Sequence, residues 1–113
     1  MEKPQGIPVI LIALIAFGVI SIAHAGDIAA GKAKVLLVCS ECHGMTGFSD
    51  VENFPNLAGQ KEMYLTIQLK AFKVGKRKDE EMNSVAKQLT DAEIANVAAF
   101  YASQHCSPKR AER

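Results

Sequence analysis

The chain has 113 residues, with 13 Lys and Arg set against 12 Asp and Glu for a formal net charge of +1. That balance excludes a general electrostatic pull toward nucleic acid or an anionic surface. Three cysteines cannot all pair within one chain, and no strand-rich, turn-dense pattern suggests a disulfide framework.

The N-terminus reads as an address. Lys3 precedes an apolar run from Ile7 to Ile22, and Ala23-His24-Ala25 places small residues at both positions that a signal peptidase reads. Residues 1–25 are expected to be a signal peptide that sends the protein to the periplasm, leaving residues 26–113 as one small domain. Retention of the segment as a membrane anchor is the alternative. Against it, the run is shorter than the roughly 20 apolar residues of a spanning helix and is interrupted by Pro8 and Gly18. A domain of this size gains only marginal stability from its own core and usually needs a staple such as a bound cofactor.

Asp27 suits the cap of a first helix running through Ile28, Ala33, Val35 and Leu36, with Gly31 leaving room for another backbone. That helix leads into Cys39-Ser40-Glu41-Cys42-His43. A loop follows from Gly44 to Gly59, rich in Gly, Asn, Asp and Pro. A second helix is expected from about Lys61 to Val74, where Tyr64, Ile67, Gln68, Ala71 and Phe72 keep an amphipathic rhythm, and Gly75 ends it. Lys76 to Glu81 reads as an exposed charged loop. Thr90-Asp91-Ala92-Glu93 is a capping box that opens the last helix, whose apolar face is Ile94, Val97, Ala98 and Tyr101, with Phe100 on its flank and Pro108 as the stop. No period-two alternation appears after the leader, so the fold class is all-α, with helices around an interior space of cofactor size.

The Cys39 to His43 run carries the chemistry. On a helical turn both thiols and the imidazole project to one side, as covalent haem attachment requires: the thiols add to the two vinyl groups while the adjacent His reaches the iron. A thioredoxin-like redox pair would want a βαβ setting that the pattern lacks. Zinc would need a fourth ligand, for which His105 and Cys106 are the candidates. Export favours haem, because this attachment takes place outside the bacterial cytoplasm.

The iron's second axial position decides between electron transfer and ligand chemistry. The candidates are Met45, Met63, Met82, His105 and Cys106. Met45 is only two residues past His43, and Met63, at the start of a helix, reads as a core gap-filler. Met82, flanked by Glu81 and Asn83 between a charged loop and the last helix, is the favoured ligand, with His105 next.

The chain from Gly26-Asp27 onward resembles the small class I c-type cytochromes of bacterial periplasms. The residues that carry the likeness are Cys39-Ser40-Glu41-Cys42-His43-Gly44, Phe54-Pro55-Asn56-Leu57-Ala58-Gly59-Gln60, Tyr64, Gln68-Leu69, Gly75-Lys76-Arg77, Met82 and Ala95 to Tyr101. The likeness is closest to a branch whose di-haem members repeat this unit; here it occurs once. The resemblance implies one haem c on Cys39 and Cys42, His43 and Met82 as axial ligands, and a Pro55 carbonyl that accepts the His43 Nδ1 hydrogen. It also implies crossing first and last helices, with Gly31 and Val35 meeting Val97 and Phe100 or Tyr101. The implied activity is carriage of single electrons between redox proteins such as a reductase, dehydrogenase or oxidase, without a substrate of its own. A cytochrome subunit docked on such an enzyme is the alternative, and a ligand-binding haem sensor a further one. Lys70, Lys73, Lys76, Arg77 and Lys78 form either a docking rim for acidic partners or an ordinary solvated face. Cys106 has no place in the family pattern and reads as an inert thiol, with an intermolecular bridge as the other use.

Overall fold

The computed structural model describes residues 1–6, 18 and 25–105. Most of the apolar run, Ala23 and His24 ahead of the expected cleavage point, and Cys106, Pro108 and the tail to Arg113 lie outside the described residues. Among those described there are helices and no strands, and no helix is long and apolar enough to cross a membrane.

The first helix, α1 (Ile28–Lys34), begins where the Asp27 carboxylate accepts the Ala30 N–H at 3.0 Å. It passes through a π-helical turn, Val35–Cys39, into a single turn α2 (Ser40–His43). A π turn shifts the phase of every side chain after it, and such turns recur at functional sites. Only Gly31, Val35 and His43 on this stretch are buried, while Ile28, Ala33 and Leu36 face outward. Gly44, at φ 78°, ends it.

The long connection that follows is stitched rather than loose. The Gly47 carbonyl accepts from both Leu57 and Ala58, and the Ser49 hydroxyl donates to the Cys42 carbonyl at 2.8 Å. Helix α3 (Glu62–Lys73) then ends at Val74 and Gly75, the latter at φ 76° as its left-handed terminator. Its buried residues are Leu65 and Phe72; Tyr64 and Ile67 of the expected apolar stripe are 46% and 53% exposed. The stripe splits because α3 faces both α5 and an interior cavity. Met63 is exposed and not a core filler.

The charged run is a loop only as far as Lys78. Asp79 caps a helix α4 (Glu80–Lys87) by accepting the Met82 N–H at 2.8 Å, and Glu80 and Glu81 occupy its favourable acidic first turn. Helix α5 (Asp91–Ala102) carries the full capping box of Thr90 and Glu93, and Ile94, Val97, Ala98, Phe100 and Tyr101 are all buried. It crosses α1 at Gly31, where an added Cβ would overlap the Asn96 carbonyl. Val35, Leu65, Val97, Ala98, Phe100 and Tyr101 form the core. Lys34 and Glu93 tie the crossing helices at 2.7 Å, and Glu93 is held below the ordinary carboxyl value of 4.5, chiefly by the Lys34 ammonium and then by the Thr90 amide.

Candidate functional site

Helices α2 to α5 and the Asn53–Gln60 segment enclose a cavity of about 620 Å³, within the range of cofactor sites. Cys39, Cys42 and His43 form one wall, while Met82 and Val85 on α4 form another. Leu65, Phe72, Val97 and Tyr101 supply apolar surface between them.

Each wall is fixed by its own sequence. The π turn and the single turn α2 bring both thiols to the same cavity, and neither thiol is in a disulfide. Burial pushes the Cys39 thiol up to about 11, well above its ordinary 9.0, despite the opposing charge of Lys34. His43 is buried, at 8% exposure. Its Nδ1 lies 2.9 Å from the Pro55 carbonyl oxygen, and a carbonyl can only accept, so the proton sits on Nδ1. The Nε2 lone pair is thereby left for a metal, with the ring orientation fixed from behind. Phe54 flanks the ring at 6.3 Å between centroids.

Tyr101 braces the same wall from α5. Its hydroxyl donates to the Gly44 carbonyl at 2.9 Å and its own carbonyl accepts from Gly59, so one residue joins the segments on both sides of the connecting loop. Burial raises its phenol above the ordinary 10.0.

The structure thus gathers Cys39, Cys42, His43, Pro55 and Met82 around one space and leaves Met45, Met63 and His105 out of it. Met45 packs against the core, and Met63 and His105 are exposed and do not line the cavity. Among the described residues no group of three or more His, Cys, Asp and Glu is placed to hold a metal ion alone, and His105, a candidate zinc ligand, is exposed. Two wall residues have no individual role in the sequence reading. Gln68 accepts from Arg77 at 2.7 Å, and the Arg77 guanidinium sits 4.5 Å from the Phe72 ring centroid. This leaves a fixed cation at the cavity wall with no ion-pair partner among the described residues.

The donor set suits haem. Two thiols match two vinyl groups, an imidazole with its proton turned away offers Nε2, the Met82 thioether lines the same cavity, and apolar walls suit a flat macrocycle.

Comparison with known proteins agrees. Residues 28–104 match the family described as Cytochrome c. Cytochrome c4 of Pseudomonas aeruginosa is 47% identical over 95 residues, covering 83% of this chain and 47% of that protein. Cytochrome c-554(548) of Halomonas halodenitrificans is 42% identical over 83 residues, covering 71% of this chain and 99% of that protein. The crystal structure of reduced recombinant cytochrome c4 from Pseudomonas stutzeri superposes with a TM-score of 0.67 at 41% identity, over 72% of this chain and 47% of that one. The chain spans about half the length of the c4 relatives it matches.

Proposed function

The chain belongs to the cytochrome c family, an electron-carrying c-type cytochrome with covalently bound haem c, and on that premise we propose that it carries one electron at a time between periplasmic redox proteins. In this reading a single haem is joined through thioethers to Cys39 and Cys42, with His43 and Met82 as axial ligands. The observation that carries it is the placing of His43 and Met82 on the same cavity, with the His43 Nδ1 proton committed to Pro55. One Cys-x-x-Cys-His run in the sequence supports a single haem.

When bound, haem supplies an iron that alternates between ferric and ferrous states. The protein's part is to hold everything else still. His43 is clamped by Pro55 and by burial, so its ring need not turn between oxidation states. A Met82 thioether is a soft ligand that favours the ferrous state and raises the potential. With both axial positions filled by side chains, no site remains for a substrate, and the protein is a carrier rather than an enzyme.

Carbon monoxide added to the reduced protein tests this. The expected outcome is slow, weak binding at neutral pH together with a ferric Met-to-iron charge-transfer band. Rapid binding would overturn the six-coordinate carrier in favour of a ligand-binding haem protein. Intact mass equal to residues 26–113 plus one haem is expected, and would place leader cleavage and periplasmic export alongside attachment.

Acidic redox partners are supported by Lys70, Lys76 and Lys78, which have no ion pair among the described residues, whereas Lys73 is paired with Asp91 at 3.4 Å. Electron-transfer rate with a partner should fall as salt rises; a flat profile would remove the docking role. A permanently docked subunit is the second reading, favoured by Leu37, Met63 and Val74 at 80%, 70% and 71% exposure. Co-purification with a dehydrogenase or oxidase through high salt would select it.

A further inference from the structure

Met82 lies in the first turn of an eight-residue helix, and helices this short have little stability of their own. Something else must keep its side chain at the cavity wall. The neighbouring Asn83 is connected in a way the carrier reading does not use. Its Oδ1 accepts the Asp79 N–H at 2.8 Å, and its Nδ2 donates to the Phe72 carbonyl at 2.7 Å and the Arg77 carbonyl at 2.8 Å. Both amide protons and the oxygen are engaged. The reversed amide would set like against like at all three contacts, so the orientation is fixed by its partners.

The three partners sit on different pieces of chain. Phe72 belongs to the last turn of α3, Arg77 to the bend after Gly75, and Asp79 to the cap of α4. The Asn83 backbone N–H adds a bond to the Asp79 carbonyl at 2.8 Å, and the Arg77 N–H donates to Ala71 at 3.1 Å. One half-buried carboxamide therefore joins the α3 wall of the cavity to the helix that carries Met82.

We infer that Asn83 is a positioning residue for Met82, a clasp that holds the first turn of α4 against the end of α3 and so keeps the sixth coordination position closed to outside ligands. The inference rests on the reading of Met82 as an iron ligand. Opening of the clasp exposes the iron, and the apparent affinity for an outside ligand scales with the fraction of molecules open. Each lost hydrogen bond shifts such an equilibrium by a few-fold to about tenfold.

Imidazole titration of the haem-loaded, full-length ferric protein is the test. N83D keeps the shape but has no amide protons for the Phe72 and Arg77 carbonyls, and N83A removes the clasp outright. Both should raise the apparent imidazole affinity by about ten- to a hundredfold and bleach the Met-to-iron band at correspondingly lower imidazole. The same substitutions made on M82A should leave its already high affinity unchanged within about threefold, because the clasp acts only through Met82. Wild-type affinity in both N83D and N83A would overturn the inference, as would an equal gain on the M82A background. M82A binding imidazole no better than wild type would instead strike the assignment of Met82, and this inference with it.

Discussion

Gly31→Ala separates packing from helix propensity by sign. At the crossing of α1 and α5, a Cβ on Gly31 overlaps the Asn96 carbonyl and comes within 2.9 Å of the Phe100 Cβ. Relief requires α1 to withdraw by on the order of 1 Å, and gaps of that size forfeit a quarter to a half of each dispersion contact. Val35, at 0% exposure, would lose its fit to Val97, Phe100 and Tyr101. The Asp27 to Asn96 bond at 2.8 Å and the Lys34–Glu93 pair at 2.7 Å resist the movement. Overpacking of this kind costs about 1–3 kcal/mol, and a blocking backbone carbonyl puts the gross effect at or above the top of that range. Ala returns about 1 kcal/mol in helix propensity. The net is a destabilisation of about 2 kcal/mol, or roughly 10 °C for a domain of this size. The assay is thermal melting of the haem-loaded ferric protein, followed by far-ultraviolet circular dichroism and by the Soret band. Ala33→Gly, on the exposed side of the same helix, is the counterpart. Propensity alone would make G31A stabilising and A33G destabilising; packing makes both destabilising, with G31A the worse. G31A melting at or above the wild type would refute the argument.

Tyr101→Phe removes the donor to Gly44, next to His43, and should lower stability by about 1–2 kcal/mol while leaving the visible spectrum in place; calorimetry and an optical scan check this. Because burial raises the Tyr101 phenol above 10.0 in the folded protein, wild-type stability is fully present below that value and falls as pH rises past it. The fall should be shallower in Y101F. Glu93 has the opposite sign: its lowered carboxyl contributes stability above the ordinary 4.5 that is lost as acid protonates it. E93Q should therefore melt below wild type at neutral pH, and the two curves should draw together as the pH falls below the ordinary 4.5.

Local signals were legible in the sequence where the chemistry is local. The Cys39 to His43 run, the Thr90–Glu93 box and the Gly75 terminator each act within a few residues, and each appears in the structure where the pattern places it. Helix α4 was hidden because Lys76 to Glu81 reads as a solvated run. The available signal was Asp79 followed by two glutamates, a cap with a favourable acidic first turn. The α3 stripe departs from its sequence pattern for a different reason. Tyr64 and Gln68 line the cavity, and periodicity cannot tell a wall facing a cofactor from a wall facing a core. The bonds from Tyr101 to Gly44 and from Asp27 to Asn96 join residues 57 and 69 positions apart, where no spacing rule reaches. Pro55 was recoverable only through family likeness, since nothing in Phe54-Pro55-Asn56 itself points back twelve residues to His43.

The same cavity that conceals α3's logic also sets a condition on folding. Its volume is about 620 Å³, far more than the few small voids that close packing tolerates in a domain. Leu65, Val97, Ala98 and Tyr101 form both the wall of this space and much of the core, so the core cannot close independently of what fills it. A C39A/C42A chain, which has no thiol for covalent attachment, should therefore show no cooperative urea transition by circular dichroism, whereas M82A, with its thioethers intact, should retain one. A sharp, cooperative transition in haem-free C39A/C42A would mean that the helices pack on each other without the cofactor, and the coupling of folding to attachment would fail.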